Sequence, residues 1–148
     1  QGFLLVVDYA LEAWRYYAIQ RSQGTLMAYR QQTASADPLR EPGQWDLTAH
    51  LCLDALQADA QRSGWQPLGQ CRQGEALLAL GLAQRLHGLQ QLDPTDLAVA
   101  LARRESLLRL VDPAGLGEFR WMAFGRGLGQ VQPLLPRFLR PPGPPTSC

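Results

Sequence analysis

Lysine and asparagine are absent from this chain of 148 residues, and all fourteen of its basic residues are arginine. Fourteen arginines against thirteen acidic residues leave a formal charge of +1, so no field of one sign draws nucleic acid or an anionic membrane. The arginines are spread evenly, which argues against a dedicated phosphate-binding cluster. Charge is scarce at 18%, yet a hydrophobic share of 46% is that of a globular chain, not a disordered one. Cysteine is sparse too. Cys52, Cys71 and Cys148 form no Cys-x-x-Cys pair, and His50 and His87 stand at no zinc-like spacing from them, so no metal site is expected. The thiols read as reduced and buried or half-buried in a cytosolic protein, and a hydrolase built on Cys52 or Cys71 has no recognisable catalytic context. No apolar run reaches the roughly 18 residues that cross a bilayer, so membrane insertion is not expected. The chain opens on Gln1 and enters an apolar stretch at once, an abrupt start that reads as a cut.

What is present suits one domain, residues 1–129, followed by a Pro-rich, disordered tail of PPII character, residues 130–148. Phe3 to Val7 is an unbroken apolar run ending at Asp8-Tyr9, the pattern of a strand covered on both faces inside a parallel sheet. Leu11 to Arg21 carries Trp14, Tyr16 and Tyr17 and reads either as a helix or loop across a pocket mouth or as aromatic core. Gly24 to Arg30 is a more polar strand candidate, and residues 31 to 46, with two prolines and a glycine, read as a long surface loop.

From Asp46 the pattern becomes helical, and Asp54-x-x-Gln57 has the form of a capping box for a helix that stops at Gly64. Trp65 to Cys71 reads as a strand, with Pro67 tolerable near its start or at a sheet edge. Gly74 to Leu80 and Ala83 to Gln91 form two short helices hinged at Gly81. Asp93-Pro94 then starts a helix with Asp93 as N-cap and a stripe of Leu97, Leu101, Leu108 and Val111, ended by Asp112-Pro113. Glu118 to Phe124 alternates and reads as an antiparallel strand. Gly125-x-Gly127-x-Gly129, the one glycine cluster, follows that strand and leads into prolines, so it does not open a helix as a dinucleotide loop does.

Four motifs in this order carry a family resemblance: Leu5-Val6-Val7-Asp8-Tyr9; Gly24-Thr25-Leu26 with Tyr29; Gly43-x-x-Asp46-Leu47-Thr48-Ala49-His50; and Gln73 with Leu77 and Gly81. Gly117-Glu118-Phe119-Arg120 adds a weaker fifth. From residue 2 to about residue 125 the chain resembles the C-terminal part of the MidA-type class I S-adenosylmethionine-dependent methyltransferases. That family includes the mitochondrial complex I assembly factor that methylates an arginine. The resemblance implies an α/β fold, the C-terminal half of a doubly wound Rossmann-like methyltransferase sheet. Residues 3 to 7, 66 to 71 and 118 to 124 would be its strands five, six and seven. It implies S-adenosylmethionine as cofactor, bound by a glycine-rich loop that lies before Gln1, so no residue here is assigned to the cofactor. Ala10 departs from the family's Asp-Tyr-Gly turn, and Gln31-Gln32 stands where a His is common.

In open α/β sheets ligands sit beyond the carboxyl ends of the strands, which puts Asp8 and Tyr9 on the substrate side. A protein arginine that accepts a methyl group needs a carboxylate to orient its guanidinium, and Asp8 and Asp46 are the candidates. His50 is the candidate proton acceptor, its ordinary pKa being near 6.5. Asp8 and His50 are thus the expected catalytic residues, with Tyr9, Tyr29, Asp46 and Thr48 as substrate contacts. Structural alternatives stand beside them: Asp46 and Thr48 capping a helix, His50 as a hydrogen-bonded structural histidine, Tyr9 and Tyr29 as packing rings. His87 reads as structural, and Gln73 as a ligand of backbone in the turn before its helix. The expected partner is a protein substrate, a subunit of respiratory complex I or a bacterial relative of it. No nucleic acid is expected, while the uncovered strand invites association, including a homodimer. The bacterial cytoplasm is the expected compartment, with mitochondria the alternative. The rival reading is a substrate-docking or assembly module that performs no chemistry.

Overall fold

A computed structural model describes residues 1–129 except residues 32 and 92. The tail expected over residues 130–148, with Cys148, lies outside the described residues. The apolar run forms strand β1 (Gly2–Asp8), and the chain then passes through β2 (Ala10–Leu11), helix α1 (Ala13–Tyr16), β3 (Met27–Arg30), β4 (Thr33–Ser35), β5 (Asp46–Thr48) and β6 (Leu51–Cys52). Helix α2 (Leu53–Arg62), strand β7 (Gln66–Arg72), helices α3 (Gln73–Ala79), α4 (Leu82–Gly88) and α5 (Leu97–Arg109), and strand β8 (Arg120–Arg126) complete it.

The main sheet has the order β1-β8-β7, with β8 antiparallel to both neighbours. Alternation along β8 serves both faces. Met122 and Phe124 turn to one side, where they meet Ala10 and Leu53 in the buried core, with Val6, Leu56, Ala60 and Trp65 packed against it. Trp121 turns to the other side, where its indole N–H donates to Gln73 Oε1 at the head of α3. Helices therefore cover both faces of β8, and Met122, Ala123 and Phe124 are each only 1% exposed. β1 pairs with β8 alone among the described residues. Its Phe3, Leu4, Leu5 and Val7 stay exposed, as expected of an apolar strand lacking a neighbour and cover. Pro67 sits at the start of edge strand β7, beside the register shift at Gly69, where its missing N–H breaks little of the ladder. Gly81 takes φ 96° between α3 and α4, the hinge expected from the sequence.

Several expectations are corrected. Asp46 to Thr48 is strand β5, not helix, because it pairs with β3 and the alternation of period two prevails. Neither Asp46 nor Thr48 therefore caps a helix. The long loop of residues 31 to 46 contains β4, and β4-β3-β5 form a small sheet of their own. Asp54 does not cap α2, whose N-cap is Cys52. Its Oδ2 instead accepts the Ala13 N–H at 2.6 Å, where α1 begins. Trp14 and Tyr17 are 76% and 75% exposed, so the aromatic segment is not core. β8 starts at Arg120, two residues later than expected, because Leu116–Glu118 closes into a 3-10 turn.

Asp96 stands at the N-cap position of α5 with no side-chain cap bond, while Asp93 Oδ1 accepts from the Thr95 backbone and hydroxyl one turn earlier. Its inward residue is the small Ala100, and Leu97, Leu101 and Leu108 face outward. Among the described residues the helix packs chiefly against α4 and the turns beside it.

The turn before β8 depends on Gln73 and Gly117. Gln73 Nε2 donates to the carbonyls of Leu110 and Leu116, both at 2.9 Å, which is the backbone-binding role expected of it. Gly117 is buried and its N–H donates to Asp112 O at 2.8 Å. A Cβ there would lie 2.5 Å from Val111 O, so backbone would have to move. Gly117→Ala is expected to cost about 1–3 kcal/mol in urea unfolding. Gly88→Ala, which meets nothing within 4 Å at the end of α4, should be neutral or gain up to about 1 kcal/mol.

Candidate functional site

β1 and β7 run in the same direction, and their last residues, Asp8 and Arg72, both stand in register with Arg120 at the start of β8. The site lies at this carboxyl end, where strand termini leave polar groups unpaired by the ladder. Tyr9 follows directly. Its carbonyl accepts the Leu51 N–H at 2.8 Å, and the parallel pair β2–β6 holds residues 51–52 alongside residues 10–11. That pairing brings His50 to Tyr9 across forty residues of sequence. Their rings lie 6.0 Å apart, and the Tyr9 ring packs on Phe119 at 4.0 Å.

The small sheet supplies the opposite wall. Tyr29 on β3 stands directly across from Asp46 on β5, and Thr48 shares the Asp46 face two residues on. The His50 N–H donates to Thr25 Oγ1 at 3.1 Å, tying the end of this wall to the loop before β3. Tyr9, Tyr29, Asp46, Thr48 and His50 thus line one cavity of about 600 Å³. The loop at Pro113, Ala114, Gly115 and Leu116 closes it with Glu118. Five of the six residues singled out from the sequence meet here. Asp8 does not line it: its Oδ1 accepts the Tyr9 N–H at 2.7 Å, a turn contact, and its charge reaches His50 only through space. His87 is exposed at the end of α4, apart from the cavity.

Among the described residues, the charged ones lining this cavity are Asp46 and Glu118, and no arginine lines it. A smaller cavity of about 160 Å³ adjoins it, sharing Tyr9, His50 and Glu118. Arg15, Arg21 and Arg120 line that one. Arg120 is 13% exposed and donates to Glu12 Oε1 at 2.5 Å, while Arg15 lies 3.6 Å from Glu12 Oε2. Desolvation lowers the His50 pKa from its ordinary 6.5, the Arg21 and Arg15 charges lower it further, and Asp8 opposes them. The imidazole is therefore neutral near pH 7 and able to accept a proton.

Glu118, the 113–116 loop and the two arginines of the α1 region were not expected as site residues. The Gly117-Glu118-Phe119-Arg120 motif marked the place but not the direction of its carboxylate. Among the described residues no group of His, Cys, Asp and Glu is arranged to hold a metal. Cys52 and Cys71 are free and half-buried. No helix among the described residues is long and apolar enough to cross a membrane.

Residues 1–71 match the family model described as "Putative S-adenosyl-L-methionine-dependent methyltransferase". The cofactor of that family is S-adenosyl-L-methionine. A COG1565 superfamily protein of Burkholderia thailandensis, solved bound to S-adenosyl-homocysteine, is similar at 33% identity and a TM-score of 0.73. That likeness covers 85% of this chain and 32% of the other. A native crystal structure of a COG1565 superfamily protein from the same organism is similar at 34% identity and a TM-score of 0.74, over 86% of this chain and 33% of that one. The mixed α/β fold described above resembles theirs. This chain spans about a third of the length of these solved structures. No curated protein matches the chain.

The field at His50 is directly measurable. Followed by NMR, its ring should titrate below 6.5, and Arg21→Gln should move the midpoint upward. The sign carries over to stability. As pH falls through 6.5 the unfolded chain takes up the proton first, so this site's contribution to stability declines on acidification, and His50→Gln should flatten that slope.

Proposed function

We propose that this chain is the C-terminal portion of a MidA-type protein methyltransferase, which transfers a methyl group from S-adenosylmethionine to a protein arginine. The acceptor would lie on a respiratory complex I-type subunit and the protein would act in the bacterial cytoplasm. The observation that carries this reading is the cavity of about 600 Å³ at the carboxyl end of β1, with two carboxylates, two tyrosines and a neutral histidine on its walls. Such a lining suits a planar cation. A guanidinium pairs with carboxylate and stacks on aromatic rings, and it stays protonated in water until a base receives its proton.

The described residues form no glycine-rich cradle for the adenosyl group. Among the described residues no strand opens into a helix through a glycine-rich turn, and Gly125 and Gly127 belong to the end of β8 and the turn after it. The exposed edge of β1 and the one-third share of the solved relatives support a further part of the sheet beside it, where the methyl donor would be held. This chain's own residues account for the acceptor side. Asp46 and Glu118 would hold the guanidinium, Tyr9 and Tyr29 would flank its plane, Thr48 would donate or accept at the rim, and His50 would take the proton that the nitrogen releases. Asp8 would act from outside the cavity, favouring the protonated imidazole once it forms. The non-catalytic docking module remains the rival, and the exposed apolar face of β1 is what favours it.

The longer protein that carries this segment, incubated with S-adenosylmethionine and complex I-type subunits, should yield methylarginine by mass spectrometry. Asp46→Asn should lower the rate about tenfold or more, through the lost charged hydrogen bond. His50→Gln should lower it roughly 100-fold. Methyl transfer to a residue other than arginine would overturn the substrate assignment. Binding of the subunit with no transfer would favour the docking module.

A further inference from the structure

Resting on the guanidinium reading of the larger cavity, we infer that the smaller cavity beside it binds a carboxylate of the same substrate, so that the acceptor arginine is recognised next to an acidic residue. Three guanidinium groups, of Arg15, Arg21 and Arg120, line about 160 Å³. Glu12 is the carboxylate that pairs with them, taking Arg120 at 2.5 Å and Arg15 at 3.6 Å. Its Oε2 is buried and accepts no hydrogen bond, so Arg15 is attracted there without being tightly engaged. Arg21 spends one N–H on the Arg15 carbonyl at 2.9 Å, which leaves most of its donors for a ligand. Glu118 on the shared wall is drawn to Arg72 on the far side, at 3.5 Å.

The excess positive charge is concentrated enough to act on His50, whose pKa it helps to lower. A singly charged carboxylate suits this balance better than a doubly charged phosphate, because Glu118 borders the same space. The volume admits a carboxylate and a short stem. Tyr9, His50 and Glu118 border both cavities, so a cation in one and an anion in the other belong to neighbouring side chains of one extended peptide. Sequence alone gave no hint of this, since Arg15 and Arg21 lie on a helix and a turn a hundred residues before Arg120.

Two blocked tetrapeptides, one with arginine followed by glutamate and one with arginine followed by glutamine, test it by calorimetric titration of the longer protein that carries this segment. The glutamate peptide is expected to bind about tenfold more tightly. Arg21→Gln, and separately Arg15→Gln, should bring the ratio of the two affinities from about tenfold to about one. Asp46→Asn should weaken both peptides equally. Equal affinity for the two peptides, with Asp46→Asn still weakening both, overturns the carboxylate site and leaves the arginine reading intact. A glutamate preference that Arg21→Gln removes, with no response to Asp46→Asn, supports the carboxylate site and overturns the guanidinium reading. Binding of neither peptide, or of inorganic phosphate in place of the glutamate peptide, overturns the inference.

Discussion

The structure depends on one strand being paired on both sides. β8 is hydrogen-bonded to β1 through seven registered pairs, from Gly2 with Arg126 to Asp8 with Arg120, and to β7 on its other edge. Because its side chains alternate, Met122 and Phe124 close the core under α2 while Trp121 meets Gln73 under α3. Loss of this pairing would unpair both neighbours at once. It would also free the turn before Arg120, which forms a wall of the site. Fold and site are therefore coupled through the first residues of a single strand.

That coupling explains why the site can be preorganised though much of its lining is exposed. Tyr29 and Asp46 are fixed by a cross-strand pair, His50 by a parallel pair with the segment after β1, and Glu118 by a 3-10 turn held by Gln73 and made possible by Gly117. Each device fixes backbone, so side chains on the rim need no burial to keep their positions. Electrostatics then divides the space. The larger cavity carries Asp46 and Glu118, the smaller one three guanidinium groups beside the shared Glu118, and the imidazole of His50 borders both. The Arg120–Glu12 pair is the costly part of this arrangement, since removing either partner would strand a part-buried charge.

The apolar surface of β1 is the other constraint. Phe3, Leu4, Leu5 and Val7 are between 38% and 49% exposed on a strand whose composition belongs inside a sheet. Natural edges are blunted by charge, proline or bulges. β1 has none of these before Asp8, whereas β7, at the other edge, has both Pro67 and a bulge. The two edges of one sheet are thus built differently: β7 carries features that blunt an edge, and β1 before Asp8 does not.

Local signals made much of the fold legible. An unbroken apolar run fixed β1, glycine with positive φ fixed the end of α2 and the hinge between α3 and α4, and strict alternation fixed β8 to within two residues. The motifs also singled out Asp8, Tyr9, Tyr29, Asp46, Thr48 and His50, of which all but Asp8 line one cavity. Errors arose where a local pattern has two solutions. Asp46 to Thr48 is short enough to suit helix or strand, and only the partner strand β3 decides. Asp54 matches a capping box, but a backbone N–H at Ala13, far off in sequence, takes its carboxylate. The leucine stripe of α5 turns outward, and the small Ala100 is the residue the helix buries. Sequence by itself determined what each segment can form, since backbone preference and side-chain period are local properties. Tertiary structure alone decided which carboxylates and guanidinium groups share a cavity, because Glu118, Arg15 and Arg21 acquire their roles from neighbours distant along the chain.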